Sequence, residues 1–197
     1  MKFAIFILPN NSLKYAISDW KRKVSQSLMN QPYANHPPHL TLIRFNVKNI
    51  DKAIELIKDN IIKVKKFEIT VDNSDIFYDD IFTKGHTMFL RVNANKQLTN
   101  LQKMVAKNLS NFIVHESEDK YAFEGKFLES FRQFSWPFVG EHWIPHFSIA
   151  SLLTNKDHPL ITKFLSEKMD YNYIVNQISI WEIKSDKHYL LETLNLK

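Results

Sequence analysis

Apolar residues along the chain follow two periods, one helical and one extended. Leu13, Ile17, Trp20, Val24 and Leu28 recur every three or four positions behind an Asn10-Asn11-Ser12 cluster with capping chemistry, which predicts a helix with one buried face. Ile50, Ile54, Ile57 and Ile61 form a second stripe, and Leu98, Leu101, Val105, Leu109 and Phe112 a third. Leu160, Ile161, Phe164 and Leu165, behind Pro159 at a helix start, form a fourth. Short apolar or alternating runs predict strands at 3–8, 40–45, 67–71, 88–92, 147–152, 178–183 and 189–194. The order is therefore β-α-β-α-β-β-α, an irregular stretch, then β-α-β-β. Two parts of it match, each with a Pro-His strand, a helix and two further strands, which points to a weak internal duplication.

The stretch 111–145 breaks the pattern. It mixes Glu116, Glu118, Asp119 and Lys120 with Tyr121, Phe123, Phe127, Phe131, Phe134, Trp136 and Phe138. A long segment this rich in aromatics reads either as an ordered flap with a helix through Phe127 and Phe131, or as a satellite hydrophobic cluster. No Gly/Ser- or Pro-rich linker divides the 197 residues, so the expectation is one bilobal domain spanning 1–197 with this insertion at about 111–145.

Composition narrows the function. Only three glycines occur, which removes dinucleotide-binding and P-loop phosphate cradles. Cysteine is absent, so thiolate zinc sites and catalytic thiols are excluded. The opening apolar run is too short for a signal peptide and no stretch approaches the roughly 20 residues of a membrane span, so a soluble, cytoplasmic protein is expected. The net charge of +5 suits a phosphate-bearing ligand without demanding one. The runs Lys21-Arg22-Lys23 and Lys63-Val64-Lys65-Lys66 lie on or beside helical stripes and read as solvated faces.

Two strings carry the chemistry: Pro38-His39-Leu40-Thr41-Leu42 and Pro145-His146-Phe147-Ser148-Ile149. Alternation along a strand sends His39 and Thr41 to one face and Leu40 and Leu42 to the other, and the same holds for His146 and Ser148. If the two strands occupy matching places in adjacent lobes, two imidazoles and two hydroxyls converge on one cleft. Two facing imidazoles suit in-line substitution at phosphorus, one taking a proton from the attacking oxygen and the other giving one to the leaving oxygen. Thr41 and Ser148 are placed to hold the non-bridging oxygens.

The paired His-x-[Thr/Ser]-x strings, half a chain apart in a small bilobal α+β pattern, resemble the 2H phosphoesterase superfamily, which includes 2′–5′ RNA ligase-like proteins and cyclic nucleotide phosphodiesterases. The resemblance implies metal-independent, cofactor-free chemistry on 2′,3′-cyclic or 2′–5′ and 3′–5′ phosphodiesters of RNA ends or small nucleotides. It carries His39 and His146 over as acid and base, and Thr41 and Ser148 as phosphate ligands. Ser148 stands where Thr is commoner, which keeps the hydroxyl and frees its rotamer. The insertion also looks longer than in compact members.

The fold expected is α+β, a pseudo-two-fold body of two antiparallel sheets facing a central cleft, with helices outside. Tyr33 and Trp143, a few residues before the motifs, are candidates for base stacking, with core packing as the alternative. Arg44 falls on the face away from His39 unless the strand bulges. His36 with His39, and His142 with His146, have ligand-like spacings, but the adjacent prolines disfavour the helix that a His-x-x-x-His site needs. His36 and His142 are expected at the cleft rim; His86, His115, His158 and His188 are expected to be structural or superficial. An RNA or nucleotide is the partner expected, with a monomer and no obligate protein partner. The alternatives are a non-catalytic RNA- or nucleotide-binding module using the same cleft, a metallohydrolase, and an interaction protein binding through the aromatic flap.

Overall fold

The computed structural model describes residues 1–117, 123–185 and 187–197. In chain order the elements are β1 (Lys2–Ile7), α1 (Asn11–Ser27), β2 (Leu40–Val47), α2 (Ile50–Ile61), β3 (Phe67–Phe77), β4 (His86–Val92), α3 (Lys96–Leu109), β5 (Ile113–Val114), α4 (Gly125–Phe134), β6 (His146–Leu152), α5 (Pro159–Ser166), β7 (Tyr171–Val175), β8 (Gln177–Lys184) and β9 (Lys187–Asn195). The helical stripes form most of the buried faces expected of them: Leu13, Ile17, Trp20 and Val24 of α1 are at most 1% exposed, whereas Leu165, expected in the α5 stripe, is 43% exposed at the end of that helix. Asn10, Asn49 and Asn95 each accept a backbone N–H through the side chain and start α1, α2 and α3. His158 does the same for α5, ahead of Pro159. A helix spans Phe127 and Phe131 within the insertion, as one of the two readings required.

All strand pairs are antiparallel, in the order β7-β3-β4-β6-β2-β1-β8-β9, with β5 on β2. The two expected sheets are the halves β7-β3-β4-β6 and β2-β1-β8-β9, joined into one curled sheet. Their seam is a single rung, Leu40 opposite Phe147. Helices lie against the face that receives Leu40 and Phe147, both fully buried. Matching elements occupy matching places on the two sides of the seam: β1-α1-β2-α2 on one, β4-α3-β6-α5 on the other.

Two strands outrun the sequence pattern. β3 continues through Asp72, Asn73, Ser74 and Asp75, residues with turn chemistry, because β4 pairs with them across a register shift between Val71 and Asn73. Among the described residues β7 is an edge strand paired only with β3, and its exposed Ile174 blurs the alternation that would mark it. Among the described residues no helix is long and apolar enough to cross a membrane.

Candidate active site

The site begins at the seam. In an antiparallel ladder the residues on either side of the Leu40–Phe147 rung stand level, Thr41 with His146 and His39 with Ser148, on the face opposite the two apolar residues. The four side chains thus make a two-by-two grid, about 5 Å across the seam and about 7 Å along each strand. The structure brings together the four residues that the paired motifs single out.

The two imidazoles are anchored alike. Nδ1 of His39 lies 2.6 Å from the Pro37 carbonyl and Nδ1 of His146 lies 2.7 Å from the Ile144 carbonyl. A carbonyl only accepts, so each Nδ1 carries the proton and each Nε2 is left as the working nitrogen. Phenylalanines back both rings: Phe6 of β1 stacks on His39 at 3.9 Å, and Phe89 of β4 meets His146 edge-on at 5.1 Å, with Phe77 at the same distance. Phe6 pairs with Thr41 and Phe89 with Ser148 in the ladders, so the two phenylalanines hold matching positions. Among the described residues neither the Thr41 nor the Ser148 hydroxyl has a hydrogen-bond partner, which leaves both available to a ligand.

A bulge closes each motif. Phe6 pairs with Thr41 and Ile5 with Ile43, so Leu42 is the extra residue of β2; Phe89 pairs with Ser148 and Met88 with Ala150, so Ile149 is the extra residue of β6. Each bulge breaks the alternation, leaving Leu42 and Ile43 of β2 and Ile149 and Ala150 of β6 buried in succession. The bulge resolves the condition attached to Arg44: it restores Arg44 to the face of His39 and Thr41, with its guanidinium 5.5 Å from the Trp136 ring. Lys2, Phe82 and Glu116 lie around it. Among the described residues Arg44 makes no hydrogen bond or ion pair. The insertion therefore borders this face of the sheet, with Trp136 stacked on Phe82 at 5.9 Å and Phe123 packed on Phe131 at 5.1 Å. Tyr121 and the acidic residues Glu118 and Asp119 lie outside the described residues.

Trp143 takes the second of its two readings, and two expectations need correction. Trp143 is 8% exposed in the core, and its indole N–H donates to the Thr41 carbonyl at 3.1 Å, so it braces the motif and offers no open stacking face. Lys21 is not solvated: it is 7% exposed, and its amine donates to the Tyr33 and Ile149 carbonyls, each at 2.6 Å. Burial pushes the Lys21 amine down to about 7. His188 of β9, which has no motif around it, stands with its ring 5.4 Å from His39 and 4.6 Å from His36. Only tertiary placement reveals it. Tyr33 is half-buried with a left-handed backbone (φ 66°), its ring 5.4 Å from His36.

The halves differ in charge. Burial holds His39 well below the ordinary imidazole range, the Pro37 carbonyl opposes this, and positive charge on His188, Lys21 and His36 adds to it. Burial also lowers His146, but there the Ile144 carbonyl and the Asp80 carboxylate raise it, and Arg91 lowers it. Asp80 is held by Thr87 Oγ1 at 2.6 Å and by the Phe82 backbone N–H at 2.8 Å. Arg91 is itself paired with Asp75. His86 accepts the Asp79 N–H and His158 caps α5, both structural tasks, while His142 packs against Phe127 of the insertion and His115 is exposed. Among the described residues no group of three or more His, Cys, Asp or Glu is arranged to hold a metal ion, the His36–His39–His188 cluster included.

Solved structures share this architecture. The chain matches the TT0787 protein of Thermus thermophilus with a TM-score of 0.68 at 15% identity, over 100% of this chain and 98% of that one. E. coli LigT complexed with 3′-AMP matches with a TM-score of 0.56 at 13% identity, over 99% and 97%. Kluyveromyces marxianus Usb1 matches with a TM-score of 0.54 at 13% identity, over 99% and 98%. At these identities the likeness is one of fold. No curated protein matches the sequence. The model of the 2′-5′ RNA ligase superfamily matches residues 9–187, which take in both motifs and the insertion and leave out β1 and nearly all of β9, and the chain belongs to that family of 2H phosphoesterases.

Proposed function

We propose that the protein is a phosphodiesterase acting on RNA ends or small nucleotides, opening a 2′,3′-cyclic phosphate or cleaving a 2′–5′ or 3′–5′ linkage by two-histidine acid–base catalysis. The observation that carries this reading is the matched pair of imidazoles, each fixed through Nδ1 and presenting Nε2 beside an unpartnered hydroxyl. E. coli LigT, which shares the fold, has been captured with 3′-AMP, a ligand of the chemical class that such a grid suits. Acid and base are both supplied by the chain, so the step needs no metal or cofactor.

The surrounding charges favour one division of roles. His39, deepest below its ordinary range, rests neutral and takes the proton from the attacking water or hydroxyl; His146, next to Asp80, delivers one to the leaving oxygen. For a cyclic phosphate, the bond from phosphorus to one ribose oxygen breaks as the bond to the water oxygen forms. Exchange with solvent then restores both imidazoles. Thr41 and Ser148 hold the non-bridging oxygens, and Arg44 reaches the next phosphate along the sheet. The reading takes the protein to be a cytoplasmic monomer.

The test is to incubate the purified protein, with and without EDTA, with 2′,3′-cyclic nucleotides and with 2′–5′ and 3′–5′ oligonucleotides, alongside His39→Ala and His146→Ala. Turnover that survives EDTA and is lost in both variants is expected. Equal turnover by wild type and variants overturns the mechanism, and binding without turnover makes the cleft a binding module.

A further inference from the structure

Two buried polar side chains reach the site from behind the sheet, one from each half, and the catalytic chemistry uses neither. Lys21 of α1 donates to the carbonyl of Ile149, the bulged residue of β6, and to the carbonyl of Tyr33, in the loop that leads to His39. Gln102 of α3 donates to the carbonyl of Leu42, the bulged residue of β2, at 3.3 Å, and to the carbonyl of Phe138, in the loop that leads to His146, at 3.2 Å. Its side-chain oxygen also accepts the Gly140 N–H at 3.1 Å. Lys21 is 7% exposed and Gln102 is 0% exposed. The two arrangements are copies of one another under the exchange of halves, although the side chains differ in chemistry and neither motif predicts them.

We infer that Lys21 and Gln102 are paired positioning residues, each tying the bulge behind one motif to the loop that delivers the opposite histidine. This rests on the two-histidine reading of the site and deepens it. A bulge turns the backbone out of regular pairing and leaves a carbonyl without its ladder partner. A buried carbonyl in that state needs a donor. Supplying it from a group that also grips the far loop makes the setting of His39 depend on β6 and that of His146 depend on β2. Near-attack geometry tolerates little drift, so the ties matter for the chemical step more than for binding. The copies are not equivalent electrostatically: Lys21 adds positive charge close to His39, whereas Gln102 adds none near His146.

The groups facing His39 are His36, His188 and Lys21, and those facing His146 are Asp80 and Arg91. Lys21→Met and Gln102→Leu remove the ties at nearly constant volume. Their folding is checked by circular dichroism, kcat and KM are measured on a 2′,3′-cyclic nucleotide, and both imidazoles are titrated by long-range proton–nitrogen NMR. Each variant is expected to lose at least tenfold in kcat with KM within about threefold. Lys21→Met is also expected to raise the His39 midpoint and leave that of His146 in place, while Gln102→Leu moves neither. Where a variant does not fold, Lys21→Gln and Gln102→Lys exchange the two chemistries: the first is expected to raise the His39 midpoint and the second to lower that of His146. A folded Gln102→Leu with kcat within twofold of wild type, or a folded Lys21→Met with kcat within twofold and an unmoved His39 midpoint, overturns the inference. The NMR titration needs no turnover, so a wild type inactive on every substrate defeats the proposed function while the His39 midpoint of Lys21→Met, unmoved or raised, still decides the Lys21 tie.

Discussion

The His39 half and the His146 half share a backbone plan and differ in their electrostatics. Both have a Pro-His strand, an Nδ1 anchor two residues upstream, a phenylalanine behind the imidazole, a bulge at the fourth motif position and a buried donor on that bulge. Around this plan, His39 faces three groups that carry or gain positive charge, and His146 faces a carboxylate and a guanidinium already paired with Asp75. Geometry delivers two imidazoles set alike, and in the proposed mechanism the difference in charge is what makes one the base and the other the acid.

The largest test of this comparison removes one imidazole at a time. His39→Ala and His146→Ala are each expected to lower kcat by roughly 10²–10⁴-fold in a steady-state assay. Losses of similar size mean that both act in the same step, and a loss confined to one makes the halves functionally unlike. Next come the hydroxyls: Thr41→Ala and Ser148→Ala should each cost about 10- to 100-fold in kcat. Ser148→Thr, which stiffens the rotamer, should raise kcat by no more than a few-fold, and a rise of that kind places the looser grip in the His146 half.

A structural contrast is smaller. Gly85 precedes β4 in the His146 half, and a Cβ there would stand 2.7 Å from the Leu152 carbonyl and 2.8 Å from Ser151 Oγ. Gly85→Ala is therefore expected to destabilise the fold by ~1–3 kcal/mol in urea unfolding. The finest test is pH. With both imidazoles lowered, kcat/KM of the free enzyme should peak below pH 6.5, rising as His39 loses its proton and falling as His146 loses its own. Asp80 raises His146, so Asp80→Asn should move the alkaline limb to lower pH and leave the acid limb where it is.

Much of this is legible in the sequence, because local signals coincide with the final structure. The stripes of α1, α2, α3 and α5 and the two His-x-[Thr/Ser] strings are periodic features whose period survives folding. What escapes detection is what pairing and curvature create. Asp72 to Asp75 look like a turn until β4 pairs with them. Leu42 and Ile149 look like ordinary alternating residues until the register shifts, and the side of the sheet that Arg44 occupies depends on that shift. Lys21 sits in a run of three cations and is the buried one, and His188 lies about 150 residues from the imidazole it adjoins. Trp143 reads equally as a stacking platform or as core, because an aromatic near a motif is ambiguous until its burial is known.

The crossed ties bear, finally, on how such a site is inherited. If the ties act as inferred, either half by itself would carry an imidazole whose bulge has nothing to fasten it, and the chemistry would need both halves side by side. Truncation at the seam is then expected to yield no half-strength product, and divergence between the halves to keep both ends of each tie. Lysine and glutamine, each able to donate to two carbonyls at once, are residues between which such a copy can drift while the two repeats remain mutually dependent.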